Sequence, residues 1–302
     1  MTGIAEALPA SIPLPASLDS TFENALQHVL RNPGNLVRPQ LIVQMGTAYG
    51  LHQALAQNLA IALEYFHTAS LLFDDLPCMD NGLARRGMPC THLLYGEDGA
   101  ILTALALINR AYGLLWSAVA GCAEHVRSAA LAFVEQCLGV SGLLNGQSLD
   151  LHYSALPHTL QTTERIARGK TVSLIRLTLV LPAMLGNAPS AELRQLERIS
   201  LFWGLGYQIV DDLKDVLQDA GQTGKTPNRD ALLGRPNITA VIGVDGAVCR
   251  LTRFLDLGDR ALRRLLAARF ELEFLGRLRA ELQSELVRVM KSSQGLIERG
   301  RP

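Results

Sequence analysis

The stretch LLFDDLPCMDN, residues 71–81, sets an acidic cluster at the end of an apolar run. Asp74 and Asp75 arrive side by side, Pro77 follows, and Asp80 closes the stretch. Packing does not ask for this, because carboxylates at the end of an apolar helix are costly to desolvate unless something positive lies between them. Pro77 removes a backbone donor and clashes with the preceding turn. The chain is therefore expected to leave the helix at this point and bring Asp80 back toward Asp74.

A second stretch, GYQIVDDLKD at residues 206–215, has the same build. Asp211 and Asp215 are four residues apart, about 40° around a helix and one turn along it. Asp212 is adjacent. Like charges at this spacing destabilise an isolated helix, yet the residues before them, LFWGLGYQIV, are apolar up to the first Asp. The expectation is two buried helices whose acidic ends open onto a cleft and face one another. Oxygen donors without His or Cys at metal spacing select a hard cation, and Mg²⁺ bridges carboxylates to substrate phosphates. Arg85 and Arg86 follow the first cluster in NGLARRG, while Lys170 and Lys225 each stand in a GKT triplet. Neither triplet is a P-loop, but such cations grip phosphate as forks or point charges.

Around these clusters, helix-period segments follow one another between short Gly, Pro and Asn breaks. The pattern predicts helices at 19–31, 37–49, 53–74, 97–120, 125–153, 160–185, 190–219, 239–266 and 269–293. Apolar residues make up 48% of the 302 residues and aromatics 5%, a composition suited to close-packed helices. The expected fold class is all-α: one large helical bundle around a central cavity over residues 18–302, preceded by a flexible tail at 1–17. Lys plus Arg and Asp plus Glu balance at 28 each, which gives no electrostatic reason to expect a nucleic-acid partner. Five cysteines without a CxxC pair point to reduced thiols and a cytoplasmic location. No uncharged apolar run reaches the roughly 18 residues of a membrane helix, so no integral membrane segment is expected.

The ordered set DDLPCMD, RRGMPCTH, GQSLD, GKT, DDLKD and GKTPNRD resembles the trans-isoprenyl diphosphate synthase family, and its bacterial geranylgeranyl diphosphate synthases most of all. The resemblance runs from about Arg38 to Gly246. It implies Mg²⁺-dependent head-to-tail condensation of isopentenyl diphosphate with an allylic diphosphate, by a homodimer. It implies that Asp74 and Asp80 ligate two Mg²⁺ with Asp75 in support, and that Asp211 holds a third with Asp212 and Asp215 assisting. Arg85, Lys170 and Lys225 would grip the allylic diphosphate; Arg38, His67 and Arg86 would hold isopentenyl diphosphate. Gln147, Thr171 and Gln208 would line the reacting centre.

The resemblance also bears on product length. Ala69 stands where a bulky aromatic closes the tunnel of C15 synthases, Ser70 is small as well, and Tyr65 and Phe66 one turn deeper would form a floor. That favours geranylgeranyl diphosphate, C20, over farnesyl diphosphate or another short-chain product. The family's GKRxRP reads GNLVRP here, so only Arg38 remains of three cations. Losing one charge-assisted phosphate contact costs about 1.5–3 kcal/mol. The departure points to a weakened isopentenyl site or a partner-dependent regulatory subunit. A class I terpene cyclase would need a different second metal motif from DDLKD.

Overall fold

The computed structural model describes residues 2–217 and 233–299. It is all-α, about 78% helical, and the only β structure among the described residues is a two-stranded hairpin. The chain divides into two compact units, Met1–Ala130 with Pro182–Asn187, and Leu131–Leu181 with Ala188–Pro302.

The first unit is organised on α4 (Gln53–Asp74), whose bounds coincide with the predicted 53–74. Helix α4 is buried on nearly every side, and it packs against α3 (Val37–Ala48) and α5 (Thr91–Val119). That surround is why its sequence, QALAQNLAIALEYFHTASLLF, has no sustained polar face. His52 Nδ1 accepts from the Ala54 amide at 3.3 Å and caps its start. Helix α2 (Ser20–Leu30), capped by Asp19, packs on α5. The predicted start of α5 at 97 reflects Gly96, whose φ of 79° interrupts the helix before its long regular part.

The tail expected at residues 1–17 is corrected by α1 (Thr2–Ala10). Leu8 is buried, the Tyr65 hydroxyl donates to the Leu8 carbonyl at 2.5 Å, and Ser11 Oγ lies 2.6 Å from the same hydroxyl. A buried tyrosine needs a partner for its hydroxyl, and the last carbonyls of a helix lack intrahelical donors. Each end meets the other's need.

With an occasional charge allowed, Thr91–Val119 and Glu124–Leu151 are both long and apolar enough to cross a membrane, with 44% and 33% of their apolar windows buried inside the protein. In α5 the buried share is a stripe of Ala100, Ala104, Leu107, Ala111 and Leu115. Its outer face carries Leu102, Leu105, Tyr112 and Trp116, all about half exposed or more.

The second unit contains α7 (Leu143–Leu151), α8 (Leu160–Ala167), a π turn (Arg168–Val172), α10 (Ser190–Leu217), α11 (Ile238–Ala268) and α12 (Leu275–Arg299). Helices α6 (Glu124–Leu138) and α9 (Ser173–Leu185) have residues in both units. Helix α10 packs along α11, α12 and the π turn. The helix predicted at 125–153 is broken between α6 and α7, where Gly139 and Gly142 stand; Gly142 has φ −125° and ψ −114°, outside helical space. The helix predicted at 160–185 runs on without a gap but changes its winding at the π turn, a feature that often accompanies functional sites.

Candidate active site

In the first unit α4 ends on Asp74, and Asp75 caps it. The Asp80 amide then donates to the Asp74 carbonyl at 2.9 Å, so the chain returns after Pro77 as the sequence led us to expect. Asp75 differs from its neighbour. It is buried, and its carboxylate accepts both Nε and Nη2 of Arg85 at 3.0 and 2.5 Å. This bidentate pair commits Asp75 to holding Arg85 rather than to a cation of its own.

The two arginines of NGLARRG are separated by a hairpin. Strand β1 (Ala84–Arg85) pairs with β2 (Met88–Pro89), and the connecting Arg86 and Gly87 have φ of 53° and 79°. Two successive positive φ values make a type I′ turn, which is why glycine is needed at 87. The turn sends Arg86 elsewhere than Arg85. Arg86 Nη1 donates to the Asn32 carbonyl at 3.0 Å, and Nη2 lies 3.4 Å from Glu64 Oε1.

Glu64 is a residue the sequence reading missed. It is 3% exposed on α4. Burial raises its pKa to about 7, although Arg86 and Arg38 pull in the opposite direction. His67, one turn on, is pushed down to about 2 by burial, reinforced by Arg38, Arg86 and Arg85, so its imidazole is neutral. Its Nδ1 is buried without a hydrogen-bond partner among the described residues. Arg38, His67 and Arg86, predicted to act together, thus share one electrostatic neighbourhood with Glu64. In GNLVRP, Leu36 is buried with φ 54°, and Asn35 Oδ1 accepts from the Val37 amide at 3.4 Å. Neither residue replaces the charges that the resemblance called for.

Below Asp74 on α4, Ser70 and Phe66 follow at four-residue intervals, placing Phe66 about 12 Å along the axis. Ser70 Oγ donates to the His67 carbonyl at 2.7 Å. Phe66 meets Tyr112 of α5 edge to face, with centroids 4.9 Å apart. Ala69 is 1% exposed, and Tyr65, predicted for the tunnel floor, is turned to α1 by its hydroxyl bonds. Tyr112 lies 46 positions after Phe66, so no local pattern in the sequence signals the pairing.

In the second unit the same division recurs. Asp211 is exposed and Asp215 half-buried near the end of α10. Asp212 is 1% exposed; it accepts from Gln208 Nε2 at 2.8 Å and from the Ile238 amide at 2.6 Å. Asn237, the cap of α11, donates to the Asp212 carbonyl at 3.3 Å. Asp212 was expected to assist at the substrate. Its carboxylate instead ties α10 to the first turn of α11, where the helix dipole favours a negative charge. Thr171 Oγ1 donates to Gln208 Oε1 at 2.6 Å, so Thr171, Gln208 and Asp212 form one chain of hydrogen bonds. Lys214, inside the motif, pairs with Glu285 of α12 at 2.8 Å.

Lys170 Nζ donates to Asp150 Oδ2 at 3.1 Å, and Arg235 Nε lies 3.8 Å from the same oxygen. Asp150, the buried acid that ends GQSLD, also escaped the sequence reading. It is three residues after Gln147, whose Nε2 is buried without a partner among the described residues. A Cβ on Gly146 would stand 2.5 Å from the Lys170 amide, and one on Gly169 would stand 2.8 Å from the Gly146 Cα. Only glycine at both positions lets α7 and the π turn touch main chain to main chain. Lys225 lies outside the described residues.

In each Asp-Asp pair the second acid is buried and spent within the protein, and the first is left accessible. Successive helix residues point about 100° apart, so one side chain faces inward and the other outward. Among the described residues no three His, Cys, Asp or Glu side chains form a ready-made metal cage. Asp74 with Asp80, and Asp211 with Asp215, offer carboxylate oxygens to a cation that keeps waters and shares phosphate oxygens. This donor set fits Mg²⁺.

The model of the polyprenyl synthetase family matches residues 19–250. The chain is 34% identical over 245 residues to geranylgeranyl pyrophosphate synthase 9, chloroplastic, of Arabidopsis thaliana, covering 80% of this chain and 68% of that one. Among solved structures it is similar to a geranyltransferase from Helicobacter pylori complexed with magnesium and isoprenyl diphosphate, with TM-score 0.78, 26% identity and coverage of 96% and 93%. It is similar also to an FPP/GFPP synthase from Zymomonas mobilis, with TM-score 0.74, 25% identity and coverage of 86% and 88%. The chain belongs to the polyprenyl synthetase family.

Proposed function

We propose that the protein is a short-chain prenyltransferase that condenses isopentenyl diphosphate head to tail with allylic diphosphates, ending at geranylgeranyl diphosphate. The observation that carries this reading is the pair of accessible acids in each unit, Asp74 with Asp80 and Asp211 with Asp215, each braced by a buried Asp neighbour. When bound there, Mg²⁺ supplies positive charge to the diphosphate that leaves as the allylic C–O bond breaks. Arg85, oriented by Asp75, is a fixed cation for diphosphate in the first unit, and Lys170, oriented by Asp150, is one in the second. Neutral His67 and the orphaned Gln147 Nε2 offer hydrogen bonds without competing charge. Phe66 against Tyr112, about 12 Å along α4 from Asp74, supports a floor deep enough for C20.

The isopentenyl side is lean in charge, since Asn35 and Leu36 carry none. A raised isopentenyl KM follows. The outer face of α5, with Ile101, Leu105, Tyr112 and Trp116 at spacings of four, seven and four, supports a homodimer built on this helix. The deciding experiment incubates the purified protein with Mg²⁺, labelled isopentenyl diphosphate and C5, C10 or C15 allylic diphosphates. C20 product with a high isopentenyl KM is expected. Product stopping at C15 overturns the length assignment, and no turnover from any primer overturns the synthase reading.

A further inference from the structure

The second unit holds a cleft of about 470 Å³ that the proposed reaction does not use. The π turn serves both places: Lys170 and Thr171 belong to the candidate active site, while Arg168, Gly169 and Val172 line the cleft. Helix α7 is divided likewise, with Gln147 and Asp150 in the one and Gly146 and Leu149 in the other.

Positive charge dominates the cleft. Arg165, Arg168, Arg176 and Arg198 line it, against a single lining acid, Glu197. Arg176 neutralises that acid through a bidentate pair at 2.7 and 2.8 Å. Glu164 approaches Arg168 only at 4.0 Å and is also engaged by Arg250. Arg165 and Arg198 are exposed and have no acidic partner within ion-pair distance among the described residues. Three guanidinium groups without a full counter-charge, around a space large enough for a small ligand, suit a multiply charged anion whose paired oxygens match the guanidinium fork. Leu149, Val172 and Leu201 add an apolar wall.

We propose that this cleft is a second anion site, for a phosphate-class ligand carrying at least two negative charges. Free diphosphate and the head of a diphosphate ester share the required chemistry. The proposal does not depend on which reaction the candidate active site performs.

Calorimetric titration with inorganic diphosphate, in EDTA, tests it. The protein is compared with the R165A/R198A double variant and with R263A/R264A, which removes two exposed arginines from α11. Both pairs lie on the surface, so circular dichroism and melting should match the parent. The parent and R263A/R264A should show a binding class that is at least tenfold weaker in R165A/R198A, since each lost charge-assisted contact accounts for about a factor of ten or more. Repeating the titrations with geranyl diphosphate separates the sources: a larger difference between the variants identifies an ester, and an unchanged one identifies free diphosphate. Equal binding of both ligands by both variants overturns the proposal.

Discussion

Glu64 gives the sharpest test of the electrostatics around the first acidic cluster. Its carboxyl is 3% exposed and its pKa is raised from 4.5 to about 7, burial outweighing the attraction of Arg86 and Arg38. Below about pH 4.5 the group carries a proton in both folded and unfolded chains. Between there and pH 7 the unfolded chain releases its proton while the folded one keeps it, so stability falls as pH rises. At 1.36 kcal/mol per pH unit this contribution amounts to about 3 kcal/mol across the window. Glu64→Gln cannot titrate and still offers Arg86 an acceptor. Urea unfolding of the parent and Glu64→Gln, measured from about pH 5 to pH 8, should give midpoints that agree at the acid end. They should diverge toward pH 8, where the variant is the more stable by roughly 1 M urea or more, given an m-value of about 1–3 kcal/mol/M. Parallel curves across the whole range would refute the claim that this carboxyl stays protonated in the fold.

Three further outcomes follow from the same geometry. Asp211→Ala should leave melting unchanged and abolish turnover, whereas Asp212→Ala should cost about 1–3 kcal/mol or more by stranding the Ile238 amide and Gln208; thermal melts beside activity assays distinguish them. Asp74→Asn should lose Mg²⁺-dependent turnover while circular dichroism stays unchanged, since the carboxylate is not part of the core; retained turnover would remove Asp74 from the metal site. Tyr112→Ala should lengthen the products seen by chromatography, because it takes away the ring that backs Phe66 while costing little buried area, and an unaltered product distribution would place the floor elsewhere.

The sequence revealed α4 to the residue, because an unbroken apolar run followed by Asp-Asp and Pro77 leaves few alternatives. It revealed the return of Asp80 for the same reason. It did not distinguish the roles within each Asp-Asp pair, since facing direction depends on what each helix packs against: Arg85 on the hairpin for Asp75, and the start of α11 for Asp212. Glu64 and Asp150 were passed over because each is a lone acid in an apolar or mixed run. Only the three-dimensional partners, Arg86 and Lys170, mark them out. Tyr65 was misplaced because helical spacing fixes a stripe but not its neighbour, and α1, read as a tail, is that neighbour.

The contact between Gly146 and Gly169 has a consequence for redesign. No side chain lies between the two backbones, so the approach of the Lys170 amide to Gly146 is set by main chain alone. Leu149 and Leu201 can be exchanged for larger or smaller groups without an intervening side chain to carry the change to that junction, whereas Val172 is buried against Gly204 of α10. A library that varies the two leucines while keeping both glycines would retain the lysine's location as its pocket chemistry drifts. A single alanine at either glycine would shift the lysine without changing any polar side chain.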